Sequence, residues 1–173
     1  TGATQTHTQN SSQNTSKNTA LLLLTAPGAN SYVFQSPYGG LPQRGGFVLE
    51  TIDYDNSGGV IFSGTSQYAG EVHIYAGGNS VGKSRVDNTG RWSLIFGSIM
   101  PLGEYDITAE LVRTDGVKVR LTLPFSRKPA SSDVESRPKL TVEHLADRLQ
   151  VGRALFGGGY QYTVVYDPIA LEE

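Results

Sequence analysis

The sequence predicts a mainly β protein, an antiparallel β-sandwich, on three observations. Apolar residues alternate with polar ones in short runs, the joins between runs are rich in Gly, Asn and Asp, and no long 3.6-residue apolar period occurs before residue 140. Glycine contributes 21 of the 173 residues and 38% are hydrophobic, enough for one small core. Charged residues are 17%, with a net charge of −2, so no basic field exists for a nucleic-acid backbone. Cysteine is absent, which excludes disulfides, thiolate metal sites and a cysteine nucleophile. The longest apolar run, Ala20 to Leu24, is far shorter than the roughly 20 residues a membrane span needs. With no initiator Met and no charged-then-apolar leader, the chain is expected to be a processed or excised piece.

Residues 1–19 hold fifteen Ser, Thr, Asn or Gln and one formal charge, Lys17, so they read as a disordered polar linker. The sequons at Asn10 and Asn14 are common by chance in such composition. Residues 20–46 form an N-terminal strand segment and a Gly/Pro loop: Leu21 to Thr25 and Tyr32 to Gln35 are strand candidates around Pro27-Gly28. The loop carries Pro37, Gly39, Gly40, Pro42, Gly45 and Gly46.

Residues 47–126 supply seven strands: Phe47 to Tyr54, Val60 to Gly64, Glu71 to Ala76, Ser80 to Asp87, Arg91 to Phe96, Glu104 to Arg113 and Val117 to Pro124. Their joins include Asp55-Asn56-Ser57-Gly58, Gly77-Gly78-Asn79, Asn88-Thr89-Gly90 and Thr114-Asp115-Gly116, all with turn chemistry. In the last hairpin Tyr105, Ile107, Ala109 and Leu111 share one face, and Val117, Val119, Leu121 and Leu123 answer them. Trp92, Leu94 and Phe96 make a third inward set, and Val72 with Ile74 a fourth. Seven strands so patterned predict an immunoglobulin-like antiparallel β-sandwich held by packing alone.

Residues 127–139 are a polar linker with two prolines. From Leu140 the spacing changes. Leu145, Leu149, Val151 and Leu155 suit a helix with Asp147 as its N-cap, ended by Gly157-Gly158-Gly159. Tyr160 to Tyr166 fits either a further helical turn or a strand, and its rings suit packing or sugar stacking.

Several motifs invite chemistry. Gly77 to Ser84 matches the phosphate-loop pattern G-x-x-x-x-G-K-[ST], but that motif needs a helix after it. Arg85-Val86-Asp87-Asn88-Thr89-Gly90 does not form one, so a hairpin with an exposed Lys83 is expected, and no nucleotide. Asp53 to Gly58 resembles half a calcium loop, yet Gly64 stands where the bidentate Glu belongs, so a hairpin turn is expected there. His7, His73 and His144 are scattered; only Glu71 and His73 share a face, too few groups for a metal or a triad. No G-x-S-x-G elbow occurs. Catalytic residues, metal and cofactors are therefore expected to be absent, and the protein is expected not to be an enzyme.

Two regions resemble a known family. Ile52-Asp53-Tyr54-Asp55, Val60-Ile61-Phe62-Ser63-Gly64, Val72-His73-Ile74-Tyr75, Asp87-Asn88-Thr89-Gly90-Arg91-Trp92-Ser93-Leu94 and Leu102-Gly103-Glu104-Tyr105 resemble the bacterial Ig-like module of alphaproteobacterial envelope proteins. In that family a LysM domain, a β-α-α-β unit that binds peptidoglycan, typically follows. Residues 140–173 are similar to its first part: Leu140-Thr141-Val142 at the first strand, then Leu149, Val151, Arg153, Phe156-Gly157 and Tyr160 to Tyr166. The sequence departs from the pattern where His144-Leu145-Ala146 replaces the Pro-Gly-Asp/Asn turn and Leu149 replaces a tryptophan, and it ends at Glu173 before the second strand. The resemblance implies an exported protein of the periplasm or cell envelope. It would be a spacer or docking module associated with peptidoglycan through Leu145, Ala146 and Asp147. The alternative is an Ig-like interaction subunit that contacts another envelope protein and binds no glycan.

Overall fold

A computed structural model describes residues 22–25, 29–35, 46–129, 139–155 and 159–167. The expected linker at 1–19, residues 130–138 of the expected linker at 127–139, the Gly/Pro loop at 36–45, Phe156-Gly157-Gly158 and residues 168–173 lie outside the described residues. Arg127, expected in that second linker, ends a strand. Twelve strands and no helix make up what is described. They are β1 (Leu22–Leu24), β2 (Tyr32–Gln35), β3 (Phe47–Asp55), β4 (Val60–Ser66), β5 (Gly70–Ala76) and β6 (Asn79–Arg85). β7 (Arg91–Phe96), β8 (Gly103–Arg113), β9 (Lys118–Arg127), β10 (Leu140–His144), β11 (Arg148–Ala154) and β12 (Tyr160–Tyr166) complete the chain.

Two antiparallel sheets enclose the core: a six-stranded sheet ordered β10-β11-β12-β3-β4-β7 and a four-stranded sheet ordered β6-β5-β8-β9. Hairpins join β3 to β4, β5 to β6 and β8 to β9, while the chain changes sheet after β4, β6, β7 and β9. The period-2 pattern dictates what faces inward. Ile52, Phe62, Leu94 and Val164 stand in register on the six-stranded sheet. Opposite them Val72, Ile74, Ile107, Leu111, Leu121 and Leu123 are almost fully buried. Tyr54 meets Phe125 edge-on across the interior at 5.4 Å, and Phe47 tilts against Trp92 at 5.8 Å. Trp92 is inward as its alternation requires, although β7 is an edge strand. Val117 departs from the expected inward set, lying half-exposed in the turn before β9.

The C-terminal region corrects the sequence reading. No helix runs from Leu145 to Leu155; β10 and β11 form a hairpin there, and β12 carries the ladder on to β3. Asp147 is not an N-cap but a turn residue, its carboxylate 2.9 Å from the Arg148 guanidinium. The helical LysM-like remnant is thus replaced by strands. The reason lies in neighbours distant in sequence. β12 sits between β11 and β3 and is buried on both faces, so its apolar run needs no alternation. Gly152 costs a helix about 1 kcal/mol but suits this strand. A Cβ there would lie 2.7 Å from Tyr160 and 2.9 Å from Tyr162, whose rings close over the site. Tyr162 in turn stacks on Tyr54 of β3 at 5.0 Å.

β1 and β2 form a separate two-stranded sheet. Ser31, just before β2, anchors this hairpin to the outer face of the six-stranded sheet at Asp53.

Candidate interaction surfaces

Each motif singled out in the sequence has a definite place. Gly77 and Gly78, at φ 55° and 84°, turn the chain between β5 and β6, a conformation that glycine adopts at little cost. β6 then continues as a strand through Lys83, whose Nζ lies 3.7 Å from the Glu71 carboxylate. The phosphate-loop match is the expected hairpin, without the helix whose N-terminus would face a phosphate. In the calcium-like segment, Asp55 Oδ1 accepts hydrogen bonds from Ser57 N at 2.9 Å and Ser57 Oγ at 2.6 Å, closing a turn on itself. Asp87 does the same with Thr89 N and Oγ1 and Arg91 N, and these bonds hold its carboxyl below the usual range. His73 Nε2 lies 2.8 Å from Glu71 Oε1 on the outer face of the four-stranded sheet. Among the described residues no three His, Asp or Glu converge as metal ligands, and no helix is long and apolar enough to cross a membrane.

Leu145, Ala146 and Asp147 form the tight turn between β10 and β11, closed by Leu145 N donating to Arg148 O at 2.9 Å. Ala146 is exposed, Leu145 and Asp147 partly so. Asp147 O accepts from Asp167 N at 2.7 Å, which ties the turn to the end of β12. The structure therefore keeps the three residues together, in a hairpin turn rather than in a loop leading to a helix. Tyr160, Tyr162 and Tyr166 are packed, not presented: Tyr160 and Tyr166 are 2% and 3% exposed, and Tyr166 Oη donates to Pro124 O across the sandwich at 2.8 Å.

Sequence reasoning missed one polar centre. Asp53, 2% exposed, accepts from Ser31 N at 2.7 Å, Ser31 Oγ at 2.6 Å and Thr163 Oγ1. Burial raises its pKa above the ordinary carboxylate value, and the bonds from Ser31, Thr163 and Gln161 offset part of that rise. Beside it, Thr51 and Ser63 share a hydrogen bond at 2.6 Å. The visible signal was the alternation Thr51, Asp53, Asp55 against Ile52, Tyr54; the hairpin that covers it is not encoded nearby.

Two shallow clefts flank the sandwich. One of about 160 Å³, lined by Tyr32, Ser63, Arg85, Asp87, Arg91 and Trp92 among others, lies beside β7, where the Arg91 guanidinium rests 4.9 Å from the Tyr32 ring centre. The other, about 310 Å³, opens between Glu104, Asp106, Ser126 and Arg148. Among the described residues β10 is an edge strand, on which Leu140 and Val142 are 64% and 54% exposed. Comparison with protein-family models, with curated proteins and with solved structures finds no match.

Proposed function

We propose that the chain is a non-enzymatic, immunoglobulin-like docking or spacer module of a bacterial cell envelope, acting through protein contacts rather than through glycan. The immunoglobulin-like reading is supported by strand order. Of the seven strands β3 to β9, the first, second and fifth lie in one sheet, and the third, fourth, sixth and seventh in the other. Tyr105, near the start of the sixth, donates through Oη to Pro101 O at 2.8 Å, four residues upstream. This is the tyrosine-corner arrangement of such sandwiches. The non-enzymatic reading is supported by the engagement of both buried carboxylates among the described residues: Asp53 by Ser31 and Thr163, and Glu110 by Arg120 at 2.6 Å.

One observation favours protein docking over peptidoglycan. β10, β11 and β12 extend the sandwich's own sheet, and the Leu145-Ala146-Asp147 turn is bonded internally to Arg148 and Asp167. The Leu145 N–H, the Asp147 carbonyl and the Asp147 carboxylate are thus already committed within the protein, and each hydrogen bond a sugar cannot make costs roughly 0.5–1.5 kcal/mol of binding. Co-sedimentation of the full chain with purified peptidoglycan sacculi tests this. The expected result is no retention. Retention that is lost in Asp147→Ala restores the peptidoglycan reading.

A further inference from the structure

We infer that the chain self-associates through β10, two copies pairing antiparallel about a two-fold axis at Val142 so that their six-stranded sheets run on as one. Among the described residues β10 ends its sheet, and its pairing with β11 has no register shift. Ladder bonds from Ala154 N to Lys139 O and from Leu145 N to Arg148 O fix the parity. Lys139, Thr141, Glu143 and Leu145 turn their backbone groups to β11, so Leu140, Val142 and His144 turn theirs outward. Leu140–His144 has no proline, no bulge and no lysine to blunt this edge, and its one carboxylate, Glu143, is paired with Lys128. The two edges of the other sheet are blunted, since β9 contains Pro124 and β6 carries Lys83 and Arg85 beside an irregular register.

The sequence of β10 suits its own reverse. With Val142 opposite Val142, Leu140 faces His144 and Thr141 faces Glu143, so no like charges stand directly opposed. Each outward N–H and C=O of one copy meets its complement on the other. Glu143 is already held by Lys128 at 3.8 Å. An isologous contact of this kind is closed, so association stops at the dimer. A strand of five residues is a small contact beside the ~1,200 Å² of stable interfaces, so the dimer is weak and concentration-dependent.

Sedimentation velocity of the full chain over a wide concentration range tests this, with Val142→Pro and Val142→Lys alongside. Proline at 142 removes an outward donor and no bond to β11; lysine there places two like charges on the axis. The expected result is a reversible dimer that weakens at least about tenfold in both variants, with unchanged circular dichroism. The amides of Leu140, Val142 and His144 should gain exchange protection only at high concentration. A wild type that stays monomeric overturns the inference, as does a dimer that persists in both variants. Neither result bears on the docking function proposed above, which the sacculus experiment tests separately.

Discussion

Asp53 is a carboxylate held out of water by a hairpin that pairs with no strand of either large sheet. Its pKa is raised in the folded chain by burial, from an ordinary 3.8. A carboxylate with a raised folded pKa binds protons more tightly folded than unfolded. Its contribution to stability is therefore fully present below the ordinary value and is lost as pH rises through the folded one. Relative to Asp53→Asn, the wild type should lose stability as pH is raised above about 4, as read from urea unfolding at a series of pH values. A relative gain over that range contradicts the burial argument. Trp92 makes a simpler case. Its indole is 3% exposed against Phe47, so Trp92→Ala should cost about 3–5 kcal/mol in chemical denaturation. A loss below about 1 kcal/mol means the ring does not fill the core.

At the scale of elements, strands β3 to β9 were legible because each is bounded by turn residues and several, such as β5, β7 and β9, bury every second residue. Ile107, Ala109 and Leu111, or Leu121 and Leu123, show the period directly. The C-terminal strands were not. Leu145, Leu149 and Val151 sit at spacings that suit a helix equally well, and in β12 Tyr160, Val164, Val165 and Tyr166 are buried on both faces, which erases the alternation. Nothing in β12 announces that β3, about 110 residues earlier, is its partner. Asp53 is opaque for the same reason, since its donors come from Ser31 and Thr163. Gly152 separates the two secondary structures by sign. In a helix Gly152→Ala stabilises by roughly 0.5–1 kcal/mol. In β11 the new Cβ meets Thr141 Oγ1 at 2.5 Å and Tyr160 at 2.7 Å, so the substitution should destabilise by about 1–3 kcal/mol. Thermal unfolding of this single variant reads the sign.

At the scale of the whole molecule, β10, β11 and β12 belong to the same sandwich as β3, β4 and β7. Tyr54 stacks on Tyr162 and accepts a hydrogen bond from Gln150 at 2.9 Å, and Tyr166 reaches Pro124 on the opposite sheet. These ties bind the region to both layers of the core, so it should open only when the sandwich opens. The glycan and docking readings diverge on the same point, because an independent peptidoglycan-binding unit would fold on its own terms. Residue-resolved amide hydrogen exchange on the full chain measures it most directly. The amides of β12 should exchange with the same free energy and denaturant dependence as those of β3 and β4, through global unfolding. Exchange of residues 140–166 at a lower free energy, independent of β3, would show that the C-terminal strands are not part of the sandwich.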